Sequence, residues 1–127
     1  MSTGTSRGIA ARTIPDVMED FAYLFPQKVS TNTLDTTPDD PREATILFSG
    51  PESGEMCLLM PSELCVEVAA NILGVEPDNP EARNSAMDSL EELLNNICGR
   101  FLINAYDNER TFQIQPPQWS EADVTRW

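Results

Sequence analysis

In the stretch DSLEELLNNICGR, Asp88 to Arg100, two acids and an amide fall at steps of four and three residues: Asp88, Glu92 and Asn95. At about 100° per residue they share an arc of roughly 60° on one helix face, and Gly99 completes it one turn later. A carboxylate and an amide three residues apart can enter a partner's pocket together. Glu92 can pair with a cation there. Asn95 offers a donor and an acceptor on one rigid group, which suits holding a water molecule in a set orientation. Neither side chain is a strong base at neutral pH, so the chemistry this pair supports is positioning rather than proton abstraction. By itself the same stripe is also what a solvated helix face looks like.

The rest of the chain narrows the options. Among its 127 residues there is no histidine. That excludes the usual zinc sites and Ser-His or Cys-His catalysis. The three cysteines, Cys57, Cys65 and Cys98, are odd in number and form no C-x-x-C pair. Each has apolar neighbours and reads as a small buried hydrophobe. Eight basic residues stand against 21 acids, a net charge of −13. Such a surface repels nucleic acid and anionic membranes. The opening MSTGTSRGIAAR lacks the apolar core of a signal peptide, and no run reaches the roughly 18 apolar residues of a membrane span, so the expected location is the cytoplasm.

The elements that must position the stripe follow from periodicity. Residues 1–12 are small, polar and aperiodic and are expected to be disordered, leaving residues 13–127 as a single domain. TIPDVMEDFAYLF places Ile14, Val17, Met18, Phe21, Ala22 and Phe25 at helical spacing, with Thr13 as cap and Pro26 as stop. KVSTNTL, from Lys28, reads as an edge strand. EATILFSG and GEMCLLMP read as a hairpin closed by a Gly-containing loop. PSELCVEVAANILG is an amphipathic helix ended by Gly74. Asp78 or Asn79 can cap a third helix, with Pro80 in its first turn, running to about Tyr106 over roughly 40 Å. Its Met87, Leu90, Leu94, Ile97 and Phe101 face the core. RTFQIQPP reads as a strand stopped by Pro116 and Pro117, and QWSEADVTRW shows no clear pattern. Strands and helices do not alternate as parallel units require, so the class is α+β with a mostly antiparallel sheet packed with long helices.

On these residues the chain resembles the CheC/CheX/FliY family of chemotaxis phosphatases, and within it the CheX-like domain. The family motif reads Asp or Ser, three residues, Glu, two residues, Asn, then about 22 residues and Pro. Asp88, Glu92 and Asn95 keep that spacing, and Pro116 and Pro117 follow after 20 and 21 intervening residues. ELLNNICGR resembles the family's run from the Glu to a Gly, here Gly99. ILFSGPESGEMCLLMPSELCVEVAANILG resembles its hairpin, helix and Leu-Gly ending. The resemblance spans roughly residues 13–117.

The resemblance implies a protein aspartyl-phosphate phosphatase acting on a phosphorylated CheY-like response regulator. Glu92 would pair with the regulator's lysine, and Asn95 would align water for in-line attack on phosphorus. Asp88, Gly99, Pro116 and Pro117 would support the motif. No cofactor of the chain's own is implied; Mg²⁺ is expected in the regulator. Family dimers share a sheet across subunits, so a second copy is a candidate partner. Asp16 and Asp20 repeat the spacing of Asp88 and Glu92, but Tyr23 stands at the place of the Asn, which implies one site per chain. The alternative is a non-catalytic adaptor or flagellar-switch-type binding module. The two differ at Asn95, whose amide water positioning requires and docking does not. A structural protein with a solvated stripe would ask nothing of Glu92 or Gly99.

Overall fold

ATILF and EMCLL are short apolar runs, and they pair as the expected hairpin. The computed structural model describes residues 6–22, 40–106 and 111–122. In chain order, α1 spans Ser6–Ala22, β1 Pro41–Ser49, β2 Gly54–Pro61 and α2 Ser62–Leu73. There follow α3 at Pro80–Asn84, α4 at Ala86–Ala105, β3 at Gln113–Ile114 and β4 at Gln118–Glu121. β1 is the central strand. One edge pairs with β2 from Pro41↔Pro61 to Phe48↔Gly54. The other takes β3 at Phe48 and Ser49 and β4 from Arg42 to Thr45. Every pairing is antiparallel. α4 and α2 pack against this sheet, with α1 and α3 against them, so the chain has the expected α+β architecture. The strand expected at KVSTNTL lies outside the described residues.

The two faces of β1 differ as period-two alternation demands. Ala44 and Ile46 are fully buried and join Met60, Cys65, Val68, Leu90 and Leu94 in one core. Glu43, Thr45 and Leu47 point the other way. There the Thr45 hydroxyl donates to Glu43 Oε1 at 3.4 Å. It also lies 3.6 Å from Cys57 Sγ, which donates to Glu55 Oε1 at 3.5 Å.

Between β3 and β4 the register slips. Ile114 pairs with Phe48 and Gln118 with Thr45, so Gln115, Pro116 and Pro117 stand opposite only Ile46 and Leu47. This is a β-bulge with one extra residue. Proline has no N–H to give to a ladder, and a bulge is a place where a strand can hold it. Gln115 still donates its N–H to the Leu47 carbonyl at 2.9 Å. β4 itself went unread in the sequence because all four of its residues are exposed and its hold on β1 is through the backbone.

Local chemistry sets the helix ends. Gly74 caps α2 with φ 70°, the left-handed region that glycine tolerates. Asn79 Oδ1 accepts from the Glu81 N–H at 2.9 Å, as expected for a cap before Pro80. Asp40 ties the start of β1 to the start of α2. Its carboxylate meets Arg42 Nη1 at 2.5 Å and accepts from the Ser62 hydroxyl at 2.8 Å, while its carbonyl accepts from the Ser62 N–H. These bonds, Arg42 first, hold the Asp40 carboxyl below its usual range.

Two expected helix boundaries need correction. The single helix from Pro80 to Tyr106 is broken at Ser85 (φ −99°, ψ 3°) into α3 and α4. Asn84 and Ser85 are weak helix formers whose side chains compete for backbone bonds. α4 is therefore about 30 Å long rather than 40 Å. The first helix begins at Ser6, not at Thr13, so residues 6–12 are helical where disorder was expected. Ile9, Thr13 and Val17 are all buried and extend the inner stripe backwards, and the helix runs through Pro15 despite the lost bond. Thr13 is no cap. Its hydroxyl accepts from Asn104 Nδ2 at 2.7 Å and fastens α1 to the end of α4.

A double-mutant cycle tests that fastening. Thr13→Val and Asn104→Ala should show a coupling of about 1 kcal/mol in urea unfolding. Simple additivity would mean that the hydroxyl serves only its own helix.

Candidate functional site

The inner side of α4 fixes the direction of its outer side. Leu90, Leu93, Leu94, Ile97 and Cys98 are buried, and Met87 and Phe101 pack at the margin of the same core. α1 and α2 lie along the helix and β1 beneath it. The core face expected from the sequence is the one observed. At its far end the Tyr106 and Phe112 rings meet at a tilt of 48° with centroids 5.0 Å apart, and Phe112 meets Phe48 of β1 edge-on at 6.0 Å.

The opposite side of α4 carries the motif. Asp88, Glu92 and Asn95 are all exposed. Among the described residues, the side chains of Glu92 and Asn95 have no hydrogen-bond or ion-pair partner. Asn96 next door differs, since its Nδ2 donates to the Glu92 carbonyl at 2.9 Å and is spent within the helix. At Gly99 an added Cβ would meet nothing within 4 Å. The helix thus gives up about 1 kcal/mol relative to alanine with no internal packing to require it.

The charges of the first turns have separate roles. Asp88 lies in the first turn of α4, where the helix dipole favours a negative charge. Glu91 turns toward β4. Burial, and then the Asp88 charge, push its carboxyl up, while a hydrogen bond from the Trp119 backbone N–H opposes the shift. Glu91 therefore belongs to the seam between α4 and β4, and Glu92 to the free surface.

α1 forms the facing wall of the motif, a contribution that the sequence reading missed. Val17, Asp20 and Phe21 line a groove of about 470 Å³ with Asn95, Gly99 and Ile103. The one available signal was the echo of Asp16 and Asp20 with Asp88 and Glu92. Pro116 lies elsewhere. It lines a second groove of about 510 Å³ with Leu47 and Gln118, on the sheet. The structure thus brings Asp88, Glu92, Asn95 and Gly99 onto one strip and keeps Pro116, with Pro117, in the bulge.

Other chemistry finds little footing. Among the described residues no group of three or more His, Cys, Asp or Glu side chains is arranged to hold a metal ion. Burial pushes the Cys65 and Cys98 thiols up to about 11, so they are poor nucleophiles at neutral pH. No described helix is long and apolar enough to cross a membrane. What remains is one carboxylate and one amide on a rigid support beside a groove, an arrangement able to bind and orient.

The fold has close structural relatives. Chemotaxis protein CheX from Vibrio vulnificus superposes with a TM-score of 0.70 at 20% identity, over 92% of this chain and 78% of that one. The CheX-CheY-BeF3-Mg²⁺ complex from Borrelia burgdorferi gives 0.70 at 18% identity, over 94% and 79%. A CheC-like superfamily protein from Shewanella sp. PV-4 gives 0.66 at 17% identity, over 92% and 76%. No curated protein matches the sequence. The sequence model of chemotaxis phosphatase CheX matches residues 43–123, which take in the hairpin, α2, the motif strip and the bulge. With that match over well more than half of its length, the chain belongs to the CheX family of chemotaxis phosphatases.

Proposed function

We propose that the protein dephosphorylates a CheY-type response regulator, with Glu92 and Asn95 entering the regulator's active site. The observation that carries this reading is the pair itself: two exposed side chains without internal partners, one turn apart, on a helix whose other face is locked in the core. The Borrelia relative, crystallised with CheY, supports the choice of partner.

In the proposed reaction the Glu92 carboxylate pairs with a lysine of the regulator and sets the docking angle. The Asn95 amide holds a water molecule in line with the bond from phosphorus to the aspartate oxygen. The water oxygen attacks phosphorus and the aspartate oxygen leaves. The products are inorganic phosphate, which keeps the water's protons, and the regenerated carboxylate. Mg²⁺ belongs to the regulator and offsets charge on the phosphoryl oxygens. This protein supplies position, not a base. A hundredfold acceleration over self-hydrolysis requires only about 2.7 kcal/mol, which one well-held water can provide. Gly99 leaves room beside Asn95 for the regulator's surface to come close.

Phosphate release from a phosphorylated regulator, followed with and without the protein, tests the reading. Acceleration is expected, and Asn95→Ala should abolish it while leaving the melting temperature nearly unchanged. If no cognate regulator is accelerated, the phosphatase reading fails; if Asn95→Ala stays fully active, the amide has no part in catalysis. Glu92→Ala should lower the rate and also raise the regulator Kd by about tenfold. An unchanged Kd would remove the lysine pairing. Gly99→Ala should raise unfolding free energy by up to about 1 kcal/mol. Gly99→Leu should fold normally yet bind the regulator poorly, and intact binding would leave the glycine without a role.

A further inference from the structure

The motif strip does not end in polar surface. One turn after Gly99, on the same side of α4, Ile103 is 58% exposed, more than any other large apolar side chain among the described residues. Ile114 of β3, itself 37% exposed, lies in the same groove, with Val17 and Phe21 of α1. A large aliphatic side chain left this open is common singly, but two of them lining one groove beside a functional pair form a patch. The groove also differs electrostatically from the rest of the molecule. Its lining holds one acid, Asp20, and one base, Arg100, in a chain of net charge −13.

We infer that the exposed Ile103 and Ile114 side chains of this groove are the affinity anchor for the response regulator, separate from the pair that does the chemistry. The inference rests on the phosphatase reading and deepens it. Ile103 is eight residues beyond Asn95, about 12 Å along the helix. A stable interface covers about 800 Å² per partner, a patch roughly 30 Å across. A regulator seated with its phosphoaspartate at Asn95 therefore also covers Ile103 and Ile114. Exclusion of water from such a patch is the usual source of binding energy at the centre of an interface, while charged groups at the rim set orientation. The local balance of Asp20 and Arg100 keeps this groove free of the strong net charge of the whole chain. A second copy of the chain seated in this groove would cover Asn95 and block the reaction, so the regulator is the occupant.

The two roles separate in kinetics. The probe is a CheY-type receiver of the same organism, phosphorylated for turnover or activated with beryllofluoride and Mg²⁺ for equilibrium binding. Ile103→Asp should raise both KM and Kd by roughly tenfold or more while changing kcat little, and Ile103→Met should restore binding. Asn95→Ala should do the reverse, with Kd kept and kcat lost. Because Ile103 is largely exposed, the Asp variant should fold, and an unchanged melting temperature checks this. Unchanged KM and Kd in Ile103→Asp overturn the inference, as does loss of self-association without a change in Kd, which would give the groove to a second copy. If the wild-type protein binds the activated receiver without dephosphorylating it, the phosphatase reading falls. The anchor then stands or falls on the Kd of Ile103→Asp alone.

Discussion

The burial of one side of α4 is the constraint on which everything else hangs. Leu90, Leu94 and Ile97 sit between the flanking helices and β1. Each fully buried side chain of this size contributes about 1.5–3 kcal/mol. Turning the helix about its axis by even one residue would expose such a side chain and bury Glu92 or Asn95, so the rotation is fixed. That fixity is what a positioning mechanism needs. A carboxylate and an amide on a loop would have to be ordered at each encounter. On α4 the backbone ordering was already done during folding, and only side-chain rotamers remain to be set.

The same logic explains the spare chemistry of the site. Cys65 and Cys98 are buried, Cys57 is half-buried, the chain has no histidine, and no cluster of metal-ligating groups stands among the described residues, while the exposed pair on α4 offers orientation and charge. Those are the tools phosphoryl transfer demands, because its transition state asks for alignment and charge stabilisation more than for covalent help. In the proposed reaction most of the active site belongs to the substrate. In that proposal this chain's share is two side chains and the surface that carries them.

Much of the fold could be read from the sequence where burial imposed a period. The hairpin, α2 with its Gly74 cap, and the inner face of α4 all carry apolar residues at steps that only one structure satisfies. The misses have physical causes. Thr13 resembles a cap and so marks too late a start for α1, whereas its hydroxyl is committed to Asn104, 91 positions away. No local pattern can show such a bond. The break at Ser85 is small enough that the helical period runs across it. β4 has no buried residue to mark it. For the site, the spacing of Asp88, Glu92 and Asn95 was visible, and so was their face. The groove was not, since its walls come from α1, α4 and β3, and only the tertiary packing brings Ile103 and Ile114 together.

The bulge at Pro116 and Pro117 has a consequence for side-chain parity. Ile114 and Trp119 are separated by an odd number of steps, so a regular strand would turn them to opposite faces. The extra residue cancels that difference. Ile114 pairs with Phe48 and Trp119 with Ala44, two residues on the same, helix-side face of β1. One inserted position thus lets a single edge serve α4 at two points, the groove beside Gly99 and the seam at Glu91. Removal of either proline would restore strict alternation and send one of these contacts to the far side of the sheet. Viewed in this way, the two prolines are a phase shifter, setting which face of the last strand the motif helix meets.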